Sequence, residues 1–338
     1  MRKIAPIILS FAALMAFLPY EKDYVINRDT SLITILEQLG VSYSEKKPNL
    51  NIEGVSALVG EDIVKYGYSK RKGEKKSRKQ SKHFECLACH NIKREDPNLA
   101  FLTPEARLTY TAERGMPFLQ GTTLYGSVNR DTYYNGDYEK KYGELVQPAR
   151  KNIREAIQLC ATECAQGRRL KDWELESVLA YLWTIDLKVG DLNISDTEID
   201  VIEDAINQKE EIESSVGLLQ KKYSKASEAT FIKPPDDRSK GVGLVGNPNM
   251  GKLLYKNSCL HCHYQKKYSF LHLDEGQMSL DYLNKKADTY HGHSIYQVAR
   301  YGTYSKYGKQ SYMPRYTEER MSQQQLADLR AYISKESE

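Results

Sequence analysis

The sequence has little net charge and very few long apolar runs. Its 49 lysines and arginines against 45 aspartates and glutamates leave a formal net charge of +4. Because nucleic-acid-binding domains are usually strongly basic, this balance excludes nucleic acid as an expected partner. Runs that alternate apolar and polar residues between turns are also scarce, which predicts few strands and a mainly α-helical fold.

The N-terminus carries the one pronounced apolar run. Arg2 and Lys3 precede a nearly unbroken apolar stretch at 4–18, a pattern typical of a secretory signal. The stretch is shorter than the roughly 20 residues of a comfortable membrane span. We therefore expect residues 1–20 to be a signal peptide or an N-terminal anchor, and the protein to be exported to the periplasm of a Gram-negative bacterium. That anchor is the one membrane contact we expect.

Two Cys-X-X-Cys-His motifs stand in the sequence, one in each half. The two thiols of such a motif can bond to the two vinyl groups of a haem, and the histidine then binds the iron. Two zinc sites would need four further ligands at zinc spacing, which the sequence does not offer. The motifs predict two covalently bound haem c groups, attached through Cys86, Cys89, Cys259 and Cys262, with His90 and His263 as axial iron ligands.

The two halves form a loose repeat of helix, haem motif, long loop and helix. Segments 60–66 and 251–255 look like helices that lead into a motif, and segments 178–182 and 329–333 look like matching closing helices. We predict two cytochrome c-like helical domains joined by a helical linker. The expected divisions are an N-terminal extension at 21–55, a first cytochrome c domain at 56–187, a linker with an exposed helix capped by Ser195 at 188–245, and a second domain at 246–338.

The second half resembles a small class I cytochrome c domain over residues 251–333. The resemblance rests on the leading helix, the motif ending at His263, Met313 between Tyr312 and Pro314, and the helix cap at 322–325. It implies that Met313 is the sixth iron ligand, opposite His263; a methionine buried in the core is the alternative. Histidine with methionine fills both axial positions and suits electron transfer.

The sequence offers several candidates for the sixth ligand of the first haem. Cys160 lies at nearly the same distance before the first closing helix as Met313 does before the second. Segment 157–160, followed by Gly167 and Leu170, resembles part of the dihaem thiosulfate dehydrogenases and their sulfur-oxidising relatives. That resemblance implies that Cys160 ligates the first iron and gives this haem a low potential.

Other ligands for the first iron stay open. Met116 sits between Gly115 and Pro117, a setting similar to that of Met313. Cys164 is a third candidate. A disulfide between Cys160 and Cys164, or an open iron, would also be compatible with the sequence.

We expect a dihaem electron carrier, or the cytochrome subunit of a respiratory complex. The second hypothesis is an oxidoreductase resembling thiosulfate dehydrogenase, and the third is a dihaem peroxidase, which would need a vacant axial position. A basic segment between Tyr66 and Cys86 could steer an acidic redox partner. The alternative is that this segment is a solvated loop without a role. The 25 tyrosines against 7 phenylalanines suit half-buried surfaces such as the rims of cofactor crevices.

Overall fold

Helices make up the regular structure of the chain. The computed structural model describes residues 24–70, 75–289, 294–303 and 312–337. The first half contains α1 (Leu32–Gln38), α2 (Ala57–Tyr66), α3 (Pro104–Glu113), α4 (Tyr138–Tyr142), α5 (Val146–Ala149), α6 (Ile153–Leu159) and α7 (Asp172–Thr184). These are followed by α8 (Asp196–Gln208), α9 (Ile212–Gln220), α10 (Pro248–Leu254), α11 (Leu260–His263), α12 (Gln277–Ala287), α13 (Ile295–Tyr301) and α14 (Gln323–Glu336).

The prediction of a mainly α-helical fold is confirmed. Within the described ranges there is no strand, and the one isolated bridge pairs Ser31 with Lys188. Within the same ranges, no helix has both the length and the apolar character of a membrane span. The signal or anchor predicted at residues 1–20 lies outside the described residues.

Local capping signals fix where several helices begin. The Ser56 side chain accepts from the backbone N–H of Val59 at the start of α2. The predicted helix behind Ser195 is present as α8, with a full capping box. Ser322 forms a second capping box at α14, where its hydroxyl and the Gln325 side chain satisfy each other's backbone N–H groups.

The leading and closing helices of each half cross in backbone contact. A β carbon built on Gly60 of α2 would lie 1.8 Å from the carbonyl oxygen of Ser177 in α7. A β carbon on Gly251 of α10 would lie 1.9 Å from the carbonyl oxygen of Asp328 in α14. The same crossing therefore recurs in both halves, as the internal repeat in the sequence predicts.

The first core collects more of the chain than the first predicted domain. Helix α1 of the N-terminal extension buries Leu32, Ile35 and Leu36 in it. Helix α8 was expected to be exposed, but one face of it packs into this core through Ile199, Ile202, Ala205 and Ile206. Their helical spacing gives α8 an apolar stripe, which must be covered. The linker is therefore partly docked, and its extended end meets the second half where Glu318 N donates to Thr230 O at 3.0 Å.

The second core also takes residues from the first half. Leu108 of α3 and Phe118 are fully buried among residues of α10, α12, α13 and α14. Phe118 N donates to Asn257 O at 2.8 Å, and its ring stacks on Tyr316 with centroids 6.4 Å apart. Segment 104–118, which the sequence assigns to the first domain, thus packs on the second.

Candidate haem sites

The first Cys-X-X-Cys-His motif lines a cavity in the first half. The cavity has a volume of about 220 Å³. Cys86, Cys89 and His90 lie on its wall together with Cys160 and Cys164. Apolar side chains complete much of the lining, among them Ile63, Val64, Phe84, Ile153 and Leu182. A largely apolar cavity with two thiols and an imidazole is the environment that an attached porphyrin requires, so the residues present fit a haem.

The ring of His90 is held in the orientation of an iron ligand. Its Nδ1 is 2.7 Å from the carbonyl oxygen of Thr122, and because a carbonyl can only accept, Nδ1 carries the proton. Gly121 lies against the ring, since a β carbon there would come within 2.6 Å of Nδ1 and Cε1. Burial lowers the pKa of His90, which favours the neutral imidazole. The Nε2 lone pair is therefore free for a metal.

The two other cysteines of the cavity lie on one π-helical turn, Cys160–Cys164. Their sulfurs are not joined in a disulfide. The Tyr142 hydroxyl is 3.3 Å and the Tyr134 hydroxyl 3.7 Å from Cys164 Sγ. The hydrogen bond from Cys160, and then those from the tyrosines and the charge of Lys141, lower the pKa of Cys164 to about 6 although burial opposes them. The same bond and burial raise the pKa of Cys160, so Cys164 is the thiolate of the pair and Cys160 keeps the proton that it donates to it.

The tyrosine-rich wall beside these cysteines was not singled out residue by residue from the sequence. Tyr134, Tyr138 and Tyr142 pack together with ring centroids 5.2 to 6.3 Å apart, and all three line the first cavity. The excess of tyrosine over phenylalanine was the available signal. Its expected place, at the rim of a cofactor crevice, agrees with this arrangement.

Met116, the alternative ligand for the first iron, lies elsewhere. It borders a shallow depression with Leu260 and His261 of the second motif, and it is not among the residues that line the first cavity. Of the sulfur ligands that the sequence suggested for the first iron, Cys160 and Cys164 are the two on the cavity wall.

The histidine of the second motif is held in the same way as that of the first. His263, at the end of α11, has its Nδ1 3.1 Å from the carbonyl oxygen of Leu271, so its Nε2 is likewise free for iron. Met313 packs against the same core as Cys259. Thr303 fixes the backbone of Met313, because Thr303 N donates to Met313 O at 2.9 Å. Residues 304–311, before Met313, lie outside the described residues.

The two motifs meet at a small aromatic cluster between the halves. The cluster is formed by Phe84, Ala88 and Tyr268, and the residues packed against it include Cys89, Cys262 and Tyr312. The Tyr268 hydroxyl donates to the Glu85 carboxylate. The Tyr312 hydroxyl donates to the Cys164 carbonyl at 2.6 Å. The second cysteine of each motif therefore touches one shared cluster.

Comparison with known proteins gives a family match in the second half of the chain. The family model described as "Cytochrome C oxidase, cbb3-type, subunit III" matches residues 246–333. No curated protein and no solved structure gives a significant match to the chain. Since no match covers the first half, its resemblance to thiosulfate dehydrogenases stays a prediction. Residues 246–333 therefore match a c-type cytochrome domain, which implies a covalently bound haem c and suggests haem-based electron transfer.

Proposed function

We propose that this protein is a periplasmic dihaem c-type cytochrome that carries electrons between its two haems and a redox partner. The observation that carries the proposal is the repetition of the second half's construction in the first. The Gly60–Ser177 crossing corresponds to the Gly251–Asp328 crossing. His90, like His263, donates through Nδ1 to a backbone carbonyl and keeps Nε2 for iron.

Each half supplies its own haem ligands in this proposal. Cys86 and Cys89 hold the first haem, and His90 binds its iron. Cys160 is the proposed sixth ligand and would lose its proton on binding the iron; Cys164, the more acidic thiol of the two, is the alternative on the same wall. Cys259, Cys262, His263 and Met313 serve the second haem. The haem supplies one-electron redox chemistry, whereas the protein holds it, excludes water and tunes its potential.

The shared aromatic cluster supports electron transfer between the two haems. Phe84, Ala88 and Tyr268 lie in contact with the second cysteine of both motifs, so the two attachment sites are adjacent in space. A thiolate ligand lowers the potential of a haem, and a methionine ligand raises it. Electrons are therefore proposed to enter at the first haem and to leave from the second.

An acidic redox partner is proposed to dock near the first haem. The basic segment includes Lys70, Lys75, Lys76, Arg78, Lys79 and Lys82, all of them exposed. Gln80, within this segment, lines the first cavity and donates to the carbonyl of Ala161. The positive charges thus lie at the edge of the first site, where they would steer an acidic protein surface by long-range attraction.

Counting covalently attached haems tests the proposal. The intact chain should contain two haems by mass spectrometry after denaturation. Replacing Cys86 and Cys89 with serine should remove one haem, and replacing Cys259 and Cys262 should remove the other, so that each double variant is the control for its counterpart. One attached haem in the intact chain would contradict the dihaem assignment.

A further inference from the structure

A buried ion pair joins the two halves beside the first motif. Arg320, of the second half, places Nη2 2.8 Å from Oε1 of Glu95, whose side chain is fully buried. Arg107 is also fully buried, with Nη1 3.7 Å from Oε2 of the same carboxylate. A buried charge is costly unless it is paired and hydrogen-bonded. The Glu95 carboxylate and the Arg320 guanidinium both have further hydrogen-bond partners next to the first motif.

The Glu95 carboxylate bridges the two chain segments that orient His90. Its Oε2 accepts from the side-chain amide of Asn91, the residue after His90, at 3.0 Å. Its Oε1 accepts from the backbone N–H of Thr123 at 2.9 Å. Thr123 follows Thr122, whose carbonyl accepts the His90 proton.

The Arg320 guanidinium holds the other side of the same segment. Its Nη2 donates to the carbonyls of Leu119 at 3.0 Å and Gly121 at 2.7 Å. Gly121 N in turn donates to Cys89 O at 2.9 Å. Segment 119–123, which presents the acceptor of His90, is thus held from one side by Arg320 and from the other by Glu95.

The segment that holds the histidine of the second motif is more exposed to solvent. The acceptor of His263 belongs to Leu271, which is 40% exposed. The ion pair in that segment, between His272 and Asp274, has both side chains more than two fifths exposed. The buried clamp is therefore a feature of the first site, and the second site serves as an internal control.

We propose that Glu95 and Arg320 are positioning residues for His90, so that the second half of the chain sets the ligand strength at the first haem. This inference rests on the proposed function, because it requires a haem on the first motif. A hydrogen bond from Nδ1 to a well-placed carbonyl makes Nε2 a stronger donor to iron. A stronger donor favours the ferric form, so loosening segment 119–123 raises the potential of the first haem.

In the Arg320→Leu variant, the loss of positioning and the loss of charge shift the potential of the first haem in opposite directions. Removing a positive charge lowers a nearby haem potential, whereas losing the two bonds to Leu119 and Gly121 raises it by weakening the His90 hydrogen bond. We expect a positive shift at the first haem of about tenfold in its reduction equilibrium constant, or about 59 mV for one electron. The second haem should not move. Potentiometric titration followed by electron paramagnetic resonance distinguishes the two haems.

Two further variants complete the test. Arg320→Lys keeps the charge and part of the hydrogen bonding, so it should shift the first potential in the same direction but less; it also serves if Arg320→Leu does not fold. Glu176→Gln removes the carboxylate of another largely buried ion pair, with Arg154, and should lower stability without moving either potential.

The outcomes distinguish this inference from the function on which it rests. Absence of haem from the first motif of the unaltered protein would refute the dihaem function itself. Two attached haems with a first potential that stays constant or falls in both Arg320 variants would overturn the positioning role alone.

Discussion

Gly60 lies so close to Ser177 that there is no room for a side chain between them. A β carbon at Gly60 would come within 1.8 Å of the Ser177 carbonyl oxygen, and one at Gly251 within 1.9 Å of the Asp328 carbonyl oxygen. Each contact joins the helix that leads into a haem motif to the helix that closes the same half. The position of each motif therefore depends on a glycine.

Gly60→Ala and Gly251→Ala should each destabilise the protein by about 3 kcal/mol, because the added carbon forces the two backbones apart. Chemical denaturation followed by circular dichroism measures the loss. The matched control is Gly217→Ala in α9, where a β carbon meets nothing within 4 Å. That change should stabilise the protein by up to about 1 kcal/mol. Equal effects at Gly60 and Gly217 would contradict the close crossing.

Asp96→Asn should remove a pH dependence of stability. Burial, and then the charge of Glu95, raise the pKa of Asp96 from 3.8 to about 6. The folded protein therefore holds this proton more tightly than the unfolded chain does. The resulting stabilisation is complete below about pH 4 and is lost as the pH rises through 6, a change of about 3 kcal/mol. Urea titrations of the unaltered protein and of Asp96→Asn between pH 4 and 7 should show that the stability of the unaltered protein falls relative to the variant by about 3 kcal/mol. A difference in unfolding free energy that does not change with pH would exclude the raised pKa of Asp96.

Cys160→Ala should abolish the thiolate-type ferric spectrum of the first haem, because this variant removes the proposed ligand. Cys164→Ala should keep a thiolate spectrum with a shifted band, since the hydrogen bond between the two sulfurs is lost. Absorption and electron paramagnetic resonance spectra of the purified ferric proteins make the comparison. The opposite pattern in the two variants would assign the iron to Cys164.

Phe84→Ala should open the cluster between the motifs. Phe84 is buried against Tyr268 and Tyr312, with ring centroids 6.5 and 5.7 Å away. Its truncation should cost about 3–5 kcal/mol and slow electron exchange between the haems, which rapid-mixing or photoreduction kinetics can follow. Phe101→Ala is the control, because Phe101 is 77% exposed and its loss should change stability by less than about 0.5 kcal/mol. A similar response in both variants would argue against a structural role for the cluster.

Local signals made the helices predictable, and the first motif correctly indicated residues that line the first cavity. The caps at Ser195 and Ser322 act within one helical turn, and the spacing of a Cys-X-X-Cys-His motif is itself local. The prediction of an exposed α8 was wrong, although Ile199, Ile202 and Ile206 lie on one helical face and indicated that this face would be buried. The sequence did not indicate the π-helical turn at Cys160–Cys164.

Contacts between distant parts of the chain could not be predicted in this way. The bond from Arg320 to Glu95 joins residues more than 200 positions apart, and no periodicity or spacing connects them. Tyr312 is the sequence neighbour of Met313, yet its hydroxyl donates to the backbone carbonyl of Cys164 in the other half. Such pairs follow from how the two halves dock, which is a property of their surfaces and not of any short segment.

The burial of Leu108 and Phe118 in the second core means that the two halves cannot simply be cut apart at the linker. A fragment beginning at residue 246 would lack both side chains and would expose the apolar surface that they cover to solvent. Such a fragment would be prone to aggregate or to recruit segment 104–118 from another molecule. The second half of the chain therefore depends on the first to complete its core.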